Sequence, residues 1–297
     1  MKKGATLTLG VLLCIPVFNA IADSTLPLRV MQFNVRNKFE PDPSPHTWQE
    51  RVPAIKTLIN NVDPDIIGTQ ENNYPQVVDM EKNLRGYQWI GLGRLGGSKS
   101  EFMAIYYKSG KFTPLEYDHF WLSDTPDKIG SATWGNRIPR MATWARFVDN
   151  SNGKQFYVLN THFDHESVVA GPKSAELVKQ VIAKFNPQLP VIMTGDFNAY
   201  YTGDSHQALT GNNGLTDTWS VAKTKINEQY GTFTAFKDPT GKSGRHLPGR
   251  GEGDRMDWIL YKGNVTVDRV EINTWRNGEQ FPSDHYPVIA DLQLHYQ

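Results

Sequence analysis

Six apolar segments of this chain each end on, or open from, a polar group able to bind a ligand or move a proton. Asn34 ends LRVMQFN and Glu71 follows DIIGTQ; His162 and Asp164 follow FYVLNT, and Asp196 with Asn198 follows PVIMTG. Asp257 opens MDWIL, and Asp284-His285 stands just before PVIADLQL. In α/β architectures ligands gather where side chains leave the core together at one rim of strand ends. A single Asn or Asp after a strand is most often a turn former, and a lone His is more often structural. Six such placements along one chain make that reading hard to sustain.

The pattern between these points is that of a layered protein. Residues 28–35, 65–70, 87–92, 102–107, 143–149, 155–161, 190–194 and 287–294 read as strands, the last alternating Val288, Ala290, Leu292 and Leu294 against Asp291 and Gln293. After Thr47, apolar residues at Val52, Ile55, Leu58, Ile59 and Val62 have helical spacing, closed by Asp63-Pro64. A second helix is predicted from Lys173 to Phe185. Residues 237–255, rich in Gly and in Lys and Arg, read as a surface loop. With no repeat and no linker, the chain from 23 to 297 reads as one domain: two sheets face to face with helices outside.

Residues 1–22 are set apart as a secretory leader. Lys2 and Lys3 precede a largely apolar stretch from Ala5 to Val17, and Ala20-Ile21-Ala22 offers a cleavage site. The apolar stretch is short for a membrane span, which needs about 20 residues. An exported, periplasmic or extracellular protein with no stable membrane association is therefore expected. The single cysteine, Cys14, lies in the leader, so the mature chain can form no disulfide and no thiolate metal site. The 31 basic and 31 acidic side chains balance, and loss of Lys2 and Lys3 leaves a slight acidic excess. Bulk charge therefore cannot hold long nucleic acid or a membrane surface, and an anionic ligand must be recognised locally.

Taken together, Phe33-Asn34, Gln70-Glu71, NTHFDH (160–165), GDFN (195–198), MDWI (256–259) and SDHYPV (283–288) resemble the endonuclease/exonuclease/phosphatase superfamily. The resemblance spans about residues 28–294, and GDFN with SDH carries most of its specificity. FWLSDTP (120–126) and PRMATW (139–144) resemble an uncharacterised, mostly bacterial branch. The resemblance implies a four-layer α/β/β/α sandwich of two mixed sheets flanked by helices. It also implies metal-assisted hydrolysis of a phosphate ester, in a superfamily whose substrates include nucleic acids, nucleotides, phosphorylated small molecules and lipid head groups.

By that resemblance Glu71 is the metal-binding glutamate, with Asn34 and Asp284 as helpers; hard oxygen ligands suit Mg²⁺, or Mn²⁺. Asp196 matches the carboxylate that orients or deprotonates the attacking water, and Asn198 the amide that holds water and phosphate. His285, paired with a carboxylate in the family, would bind a non-bridging oxygen or polarise the phosphorus. Asp257 is expected to support His162, the match to the second catalytic histidine, by fixing its tautomer. Arg140 offers a bidentate clamp for phosphate, the alternative being a surface salt bridge. Asp164 and His165 belong to the branch pattern and carry no assigned role. Where the branch often has an Arg beyond NTHFDH, this chain has Gly171-Pro172.

Two other chemistries compete with this one. Asn160, His162, Asp164 and His165 fit the metallo-β-lactamase H-x-H-x-D-H spacing except at Asn160, which leaves a di-zinc hydrolase one ligand short. A secreted, non-catalytic binding module on the same scaffold would be expected to have lost carboxylates or histidines that are all present here. No Gly-x-Ser-x-Gly occurs, and Gly241-Lys242-Ser243 lacks the rest of a phosphate-binding loop. The expected partner is a phosphate-ester substrate bound by a monomer, with no protein partner implied. Lys237, Lys242, Arg245, Arg250 and Arg255 could lay a basic loop over the rim. Few phosphate contacts favour a phosphodiester in short or single-stranded nucleic acid, or a small phosphorylated molecule.

Overall fold

The computed structural model describes Met1, residues 25–237 and residues 255–296. The predicted leader beyond Met1, and the basic loop between Lys237 and Arg255 with Lys242, Arg245 and Arg250, lie outside the described residues. The first half of the chain forms β1 (Thr25–Asn34), α1 (Trp48–Val62), β2 (Ile66–Gln70), β3 (Asn72–Asn73), α2 (Tyr74–Asn83), β4 (Tyr87–Ile90), β5 (Glu101–Phe102), β6 (Ile105–Lys108) and β7 (Phe112–Trp121). The second half forms β8 (Met141–Asp149), β9 (Gln155–His162), α3 (Ala170–Ile182), β10 (Val191–Asp196), α4 (Asp204–Thr210) and β11 (Thr216–Asp217). It ends with α5 (Thr218–Val221), β12 (Thr224–Ile226), β13 (Asp257–Lys262), β14 (Val265–Ile272) and β15 (Val288–His295).

Two mixed sheets result, one ordered β12-β14-β15-β1-β2-β6-β4 and the other β11-β13-β10-β9-β8-β7. In each, a central parallel pair, β1 with β2 and β9 with β10, has antiparallel neighbours. Leu28, Val30, Ile66, Val158, Ile192, Ile259 and Ala290 fill the layer between the sheets. On the outer face of the first sheet, Met31, Phe33 and Ile67 pack against Ile55, Leu58 and Ile59 of α1 and Val77 and Met80 of α2. On the outer face of the second, Leu159 and Met193 pack against Ala175, Val178 and Ile182 of α3 and Leu209 of α4. This is the expected four-layer α/β/β/α arrangement. It follows from the central strands β1, β2, β9 and β10, whose two faces are both apolar, so that each sheet must be covered twice.

The start of α1 follows its sequence closely, with Glu50 accepting from the Thr47 N–H at 3.1 Å, which satisfies an otherwise unpaired helix-end donor. Three elements escape the periodicity reading. In α2 only Gln76, Val77 and Met80 are buried, too few for an apolar stripe. β7 is an edge strand whose middle is mostly exposed, so it lacks alternation. A register shift between Val267 and Arg269 breaks the alternation of β14. The strand predicted over 102–107 is divided between β5 and β6.

Candidate active site

Side chains two residues apart on a strand share a face, and this places the site. Along β1, Leu26, Leu28 and Val30 enter the layer between the sheets, and Gln32 and Asn34 continue on that face. Phe156 and Val158 of β9 lead in the same way to Asn160 and His162, and Ile192 of β10 leads to Thr194 and Asp196. On antiparallel β13, Ile259 leads back to Asp257. The inter-sheet layer thus turns from apolar to polar at one end.

The first polar tier is structural. Asn160 Nδ2 donates to the carbonyls of Thr69 (2.8 Å) and Ala104 (2.9 Å), and its Oδ1 accepts from Gln70 Nε2 (2.7 Å) and Thr194 Oγ1 (3.1 Å). The position that a di-zinc motif would use as a ligand is therefore a buried cross-link between the sheets. Gln32 Nε2 donates to Gln70 Oε1 (2.5 Å) and Asp257 Oδ1 (3.1 Å). Gly68 permits this approach, since a Cβ there would stand 2.0 Å from Thr194 Oγ1.

Above this tier opens a cleft of about 520 Å³, lined in part by Arg36, Asn37, Glu71, Arg94, Glu101, Arg140, His162, Asp196, Asn198, Asp284 and His285. Asn34 Nδ2 donates to Glu71 Oε1 (3.0 Å) and Asp196 Oδ2 (2.9 Å), while its Oδ1 accepts from the Arg36 N–H (3.0 Å). Asn34 thus ties the two carboxylates together across the sheets. Glu71 Oε2 accepts from the Asn37 N–H (2.9 Å). Asp196 Oδ1 accepts from the Asn198 N–H (3.0 Å), and its Oδ2 lies 3.7 Å from His162 Nε2 and 3.8 Å from His285 Nε2. Asn198 Nδ2 lies 2.9 Å from His162 Nε2 and donates to Phe163 O (3.1 Å).

One sequence expectation is corrected. Asp257 does not support His162: its Oδ2 lies 2.9 Å from His285 Nδ1. The reason is tertiary. Thr232 Oγ1 accepts from the N–H groups of Met256 and Asp257, the Thr232 carbonyl accepts from Tyr286 N–H, and Phe233 forms a β-bridge with His285. Segment 232–233 therefore clamps Asp257 and His285 side by side, whereas the buried Nδ1 of His162 has no partner among the described residues. Asp284 lines the cleft as expected, with its Oδ2 3.5 Å from Arg36 Nη1. Arg140 is no surface residue: it is buried, with Nε 3.4 Å from Asp164 Oδ2 and Nη2 2.8 Å from His165 Nδ1. Asp164 also accepts from the N–H groups of Glu166 and Ser167 through Oδ1, so it orders the turn after β9.

Burial and neighbouring charges divide the protonation states. Burial, with the positive charges of Arg140 and Arg94, holds His162 well below its usual range and therefore neutral. Burial also pushes His285 down, but Asp257, Asp196 and Asp284 outweigh it and keep His285 protonated. Burial and the nearby Asp257 push Asp196 up to about 7. For Glu71, burial is outweighed by the Asn34 amide, His285, the Asn37 N–H and Arg36, so its carboxylate stays ionised. Glu71, Arg36 and Asn198 all have positive φ, a strained backbone for residues other than glycine. Fully buried Arg51 of α1 holds the rim by donating to the carbonyls of Val35 (2.7 Å), Arg36 (3.2 Å), His46 (2.9 Å) and Pro282 (2.9 Å).

The donor set fits a divalent cation. Glu71, His162 and Asp196 each place one ligand atom within 4.8 Å of the others; Asp196, Asp257 and His285 lie equally close, but protonated His285 has no lone pair to give a metal. Glu71, Asp196 and Asp284 bring carboxyl oxygens to the same cleft, hard donors of the kind that a dication takes. Arg36, Asn37, Arg94 and Glu101 carry no signal in the sequence, because they sit in loops or in the two-residue β5, with no periodicity to mark them.

Comparison with known proteins agrees with this geometry. Over 91% of its length the chain is 33% identical to an endonuclease/exonuclease/phosphatase family protein from Bacteroides thetaiotaomicron, covering 98% of that structure with a TM-score of 0.82. A mannosyl-6-phosphatase of Bacteroides thetaiotaomicron is also 33% identical, with 89% of this chain and 99% of that one covered and a TM-score of 0.79. An uncharacterised protein of Acanthamoeba polyphaga mimivirus is 31% identical over 230 residues, 72% of this chain and 83% of its own length. Residues 31–285 match the family described as Endonuclease/Exonuclease/phosphatase. With that match over most of its length, and with Glu71, Asp196, Asn198 and His285 converging in one cleft, the chain belongs to the endonuclease/exonuclease/phosphatase family.

Proposed function

We propose that this protein is a Mg²⁺- or Mn²⁺-dependent phosphoesterase acting on a small or short phosphorylated substrate. The observation that carries this reading is the convergence of Asp196 with Asn34, Asn198, His162 and His285 at the floor of the cleft, beside Glu71. Glu71 would hold the metal, with Asn34 and Asp284 supporting. A bound dication supplies Lewis acidity toward the phosphate oxygens and neutralises the charge that grows on them.

The protein's own residues account for the rest. Asp196 orients a water molecule and takes its proton as the water oxygen bonds to phosphorus. The ester P–O bond breaks, and the departing alkoxide is protonated by solvent. Protonated His285, held by Asp257, donates to a non-bridging oxygen, and Asn198 fixes phosphate and water. Arg140 contributes a guanidinium to the same phosphate.

The size of the cleft and the near-zero charge of the chain favour a small ester or a short single strand over long duplex nucleic acid. Similarity to a mannosyl-6-phosphatase supports a small phosphorylated molecule. Residues 1–22 support export to the periplasm or beyond. The test is a panel of p-nitrophenyl phosphate, bis-p-nitrophenyl phosphate, sugar phosphates, single-stranded oligonucleotides and duplex DNA, with and without chelator. Metal-dependent turnover of the small esters is expected. Full activity after exhaustive chelation overturns the reading. So does activity confined to duplex DNA with a steep salt dependence, since each phosphate contact adds about 0.9 to that slope.

A further inference from the structure

Beside the catalytic constellation, the cleft wall contains an ion pair that the reaction above does not use. Arg94 Nη2 lies 2.9 Å from Glu101 Oε1, and Arg94 Nε donates to Ser100 Oγ (3.1 Å). The two residues face each other across a hairpin closed by the Arg94 N–H to Glu101 carbonyl bond (2.9 Å) and pinned from below by Trp121 Nε1 on the Arg94 carbonyl (2.8 Å). Asn37 joins this pair to the candidate metal carboxylate: its Nδ2 donates to Glu101 Oε1 (3.1 Å) while its N–H donates to Glu71 Oε2 (2.9 Å). The pair thus stands one residue away from the candidate metal carboxylate, in the wall of the same cleft.

Arg94 is only 7% exposed and Arg140 only 3%, yet the Nη1 of each has no hydrogen-bond partner among the described residues, and both side chains line the cleft. A buried ion pair serving stability alone is poorly favoured over apolar packing, and an orphaned donor makes it less so. The chemistry of the pair is specific. Glu101 receives both of its contacts on Oε1, so a carboxylate acceptor and a spare guanidinium donor stand together. An anion would meet repulsion from Glu101. A hydroxyl group, which both donates and accepts, matches the two at once.

Building on the phosphoesterase reading, we propose that Arg94 and Glu101 form a subsite for a hydroxyl group of the substrate, so that the substrate is a phosphorylated sugar or polyol. Arg140, nearer His162 and His165, serves the phosphate. A deoxyribose chain, with its hydroxyls consumed in ester bonds, leaves the subsite unfilled.

The test compares Arg94→Met and Glu101→Gln with wild type on mannose 6-phosphate and on p-nitrophenyl phosphate, which has no free hydroxyl on its leaving group. Calorimetric binding of mannose 6-phosphate is measured in parallel, and Glu101→Gln serves alone if Arg94→Met does not fold. For each variant, the loss of kcat/KM on mannose 6-phosphate should exceed the loss on p-nitrophenyl phosphate by about tenfold or more, mainly through KM, with binding weakened in step. Equal losses on both substrates, no loss on either, or wild-type binding of mannose 6-phosphate that neither substitution weakens overturns the subsite. If wild type binds mannose 6-phosphate through these residues but hydrolyses no phosphoester, the subsite stands and the phosphoesterase reading fails.

Discussion

His285 Nδ1 lies 2.9 Å from Asp257 Oδ2, with both side chains buried, and this contact leaves His285 Nε2 free to face the cleft 3.8 Å from Asp196. The pair joins the residue that opens β13 to the segment leading into β15, 28 positions apart in sequence. A buried carboxylate that orients an imidazole and keeps it protonated makes the imidazole a donor toward developing charge.

Removing either member should therefore impair turnover. His285→Ala is expected to lower kcat on the order of 10³-fold or more, and Asp257→Asn about 10²-fold or more, with thermal unfolding used to confirm a folded protein. If Asp257→Asn retained wild-type kcat, the orienting role of the pair would be wrong.

Glu71 and Asp196 should separate by rescue. Glu71→Gln removes a candidate metal charge, so added Mg²⁺ should partly restore its activity. Asp196→Ala removes the group that receives the water proton and should lose on the order of 10³-fold or more with little recovery at any Mg²⁺ concentration. Titrating Mg²⁺ against initial rate for both variants distinguishes them, and identical titration curves would refute the division of roles.

Gly68 should tolerate no side chain. The Cβ of Gly68→Ala would stand 2.0 Å from Thr194 Oγ1 and 2.8 Å from Thr194 Cβ, so the sheets must separate locally. Overpacking of this kind costs about 1–3 kcal/mol, occasionally more. Denaturant unfolding should show that loss, and Thr194→Ala in the Gly68→Ala background should recover part of it. An unchanged unfolding midpoint in Gly68→Ala would contradict the close approach.

Away from the cleft, Asp217 accepts from Trp219 N–H (2.9 Å), and its Oδ2 lies 3.2 Å from both His206 Nε2 and Arg255 Nη2. Burial pushes its carboxyl up, but His206, Arg255 and the Trp219 N–H prevail and hold it below its ordinary value. A folded-state value below the unfolded one means that the stabilisation is complete above about pH 4 and is lost as pH falls through the folded value. Asp217→Asn should cost about 3 kcal/mol or more at pH 7, and the difference from wild type should shrink toward pH 3. A difference independent of pH across that range would show that charge is not the cause.

The residues of the site were legible in the sequence because a strand writes its faces at every second position. The switches from Val30 to Gln32 and Asn34, from Val158 to Asn160 and His162, and from Ile192 to Thr194 and Asp196 are local patterns, visible without coordinates. The two helices of clear period were legible for the same reason, whereas α2, β7 and β14 lacked a stripe or an unbroken alternation. Which group meets which was another matter. That Asp257 serves His285 rather than His162 depends on Thr232 and Phe233 clamping two distant segments, and that Asn34 bridges Glu71 to Asp196 depends on how closely the sheets stack over Gly68. Arg94 and Glu101 became partners only through the hairpin that Trp121 pins. Periodicity encodes the face of a residue relative to its own neighbours in the chain. Distances between faces are set by register and packing among segments far apart, and these exist only in the folded protein.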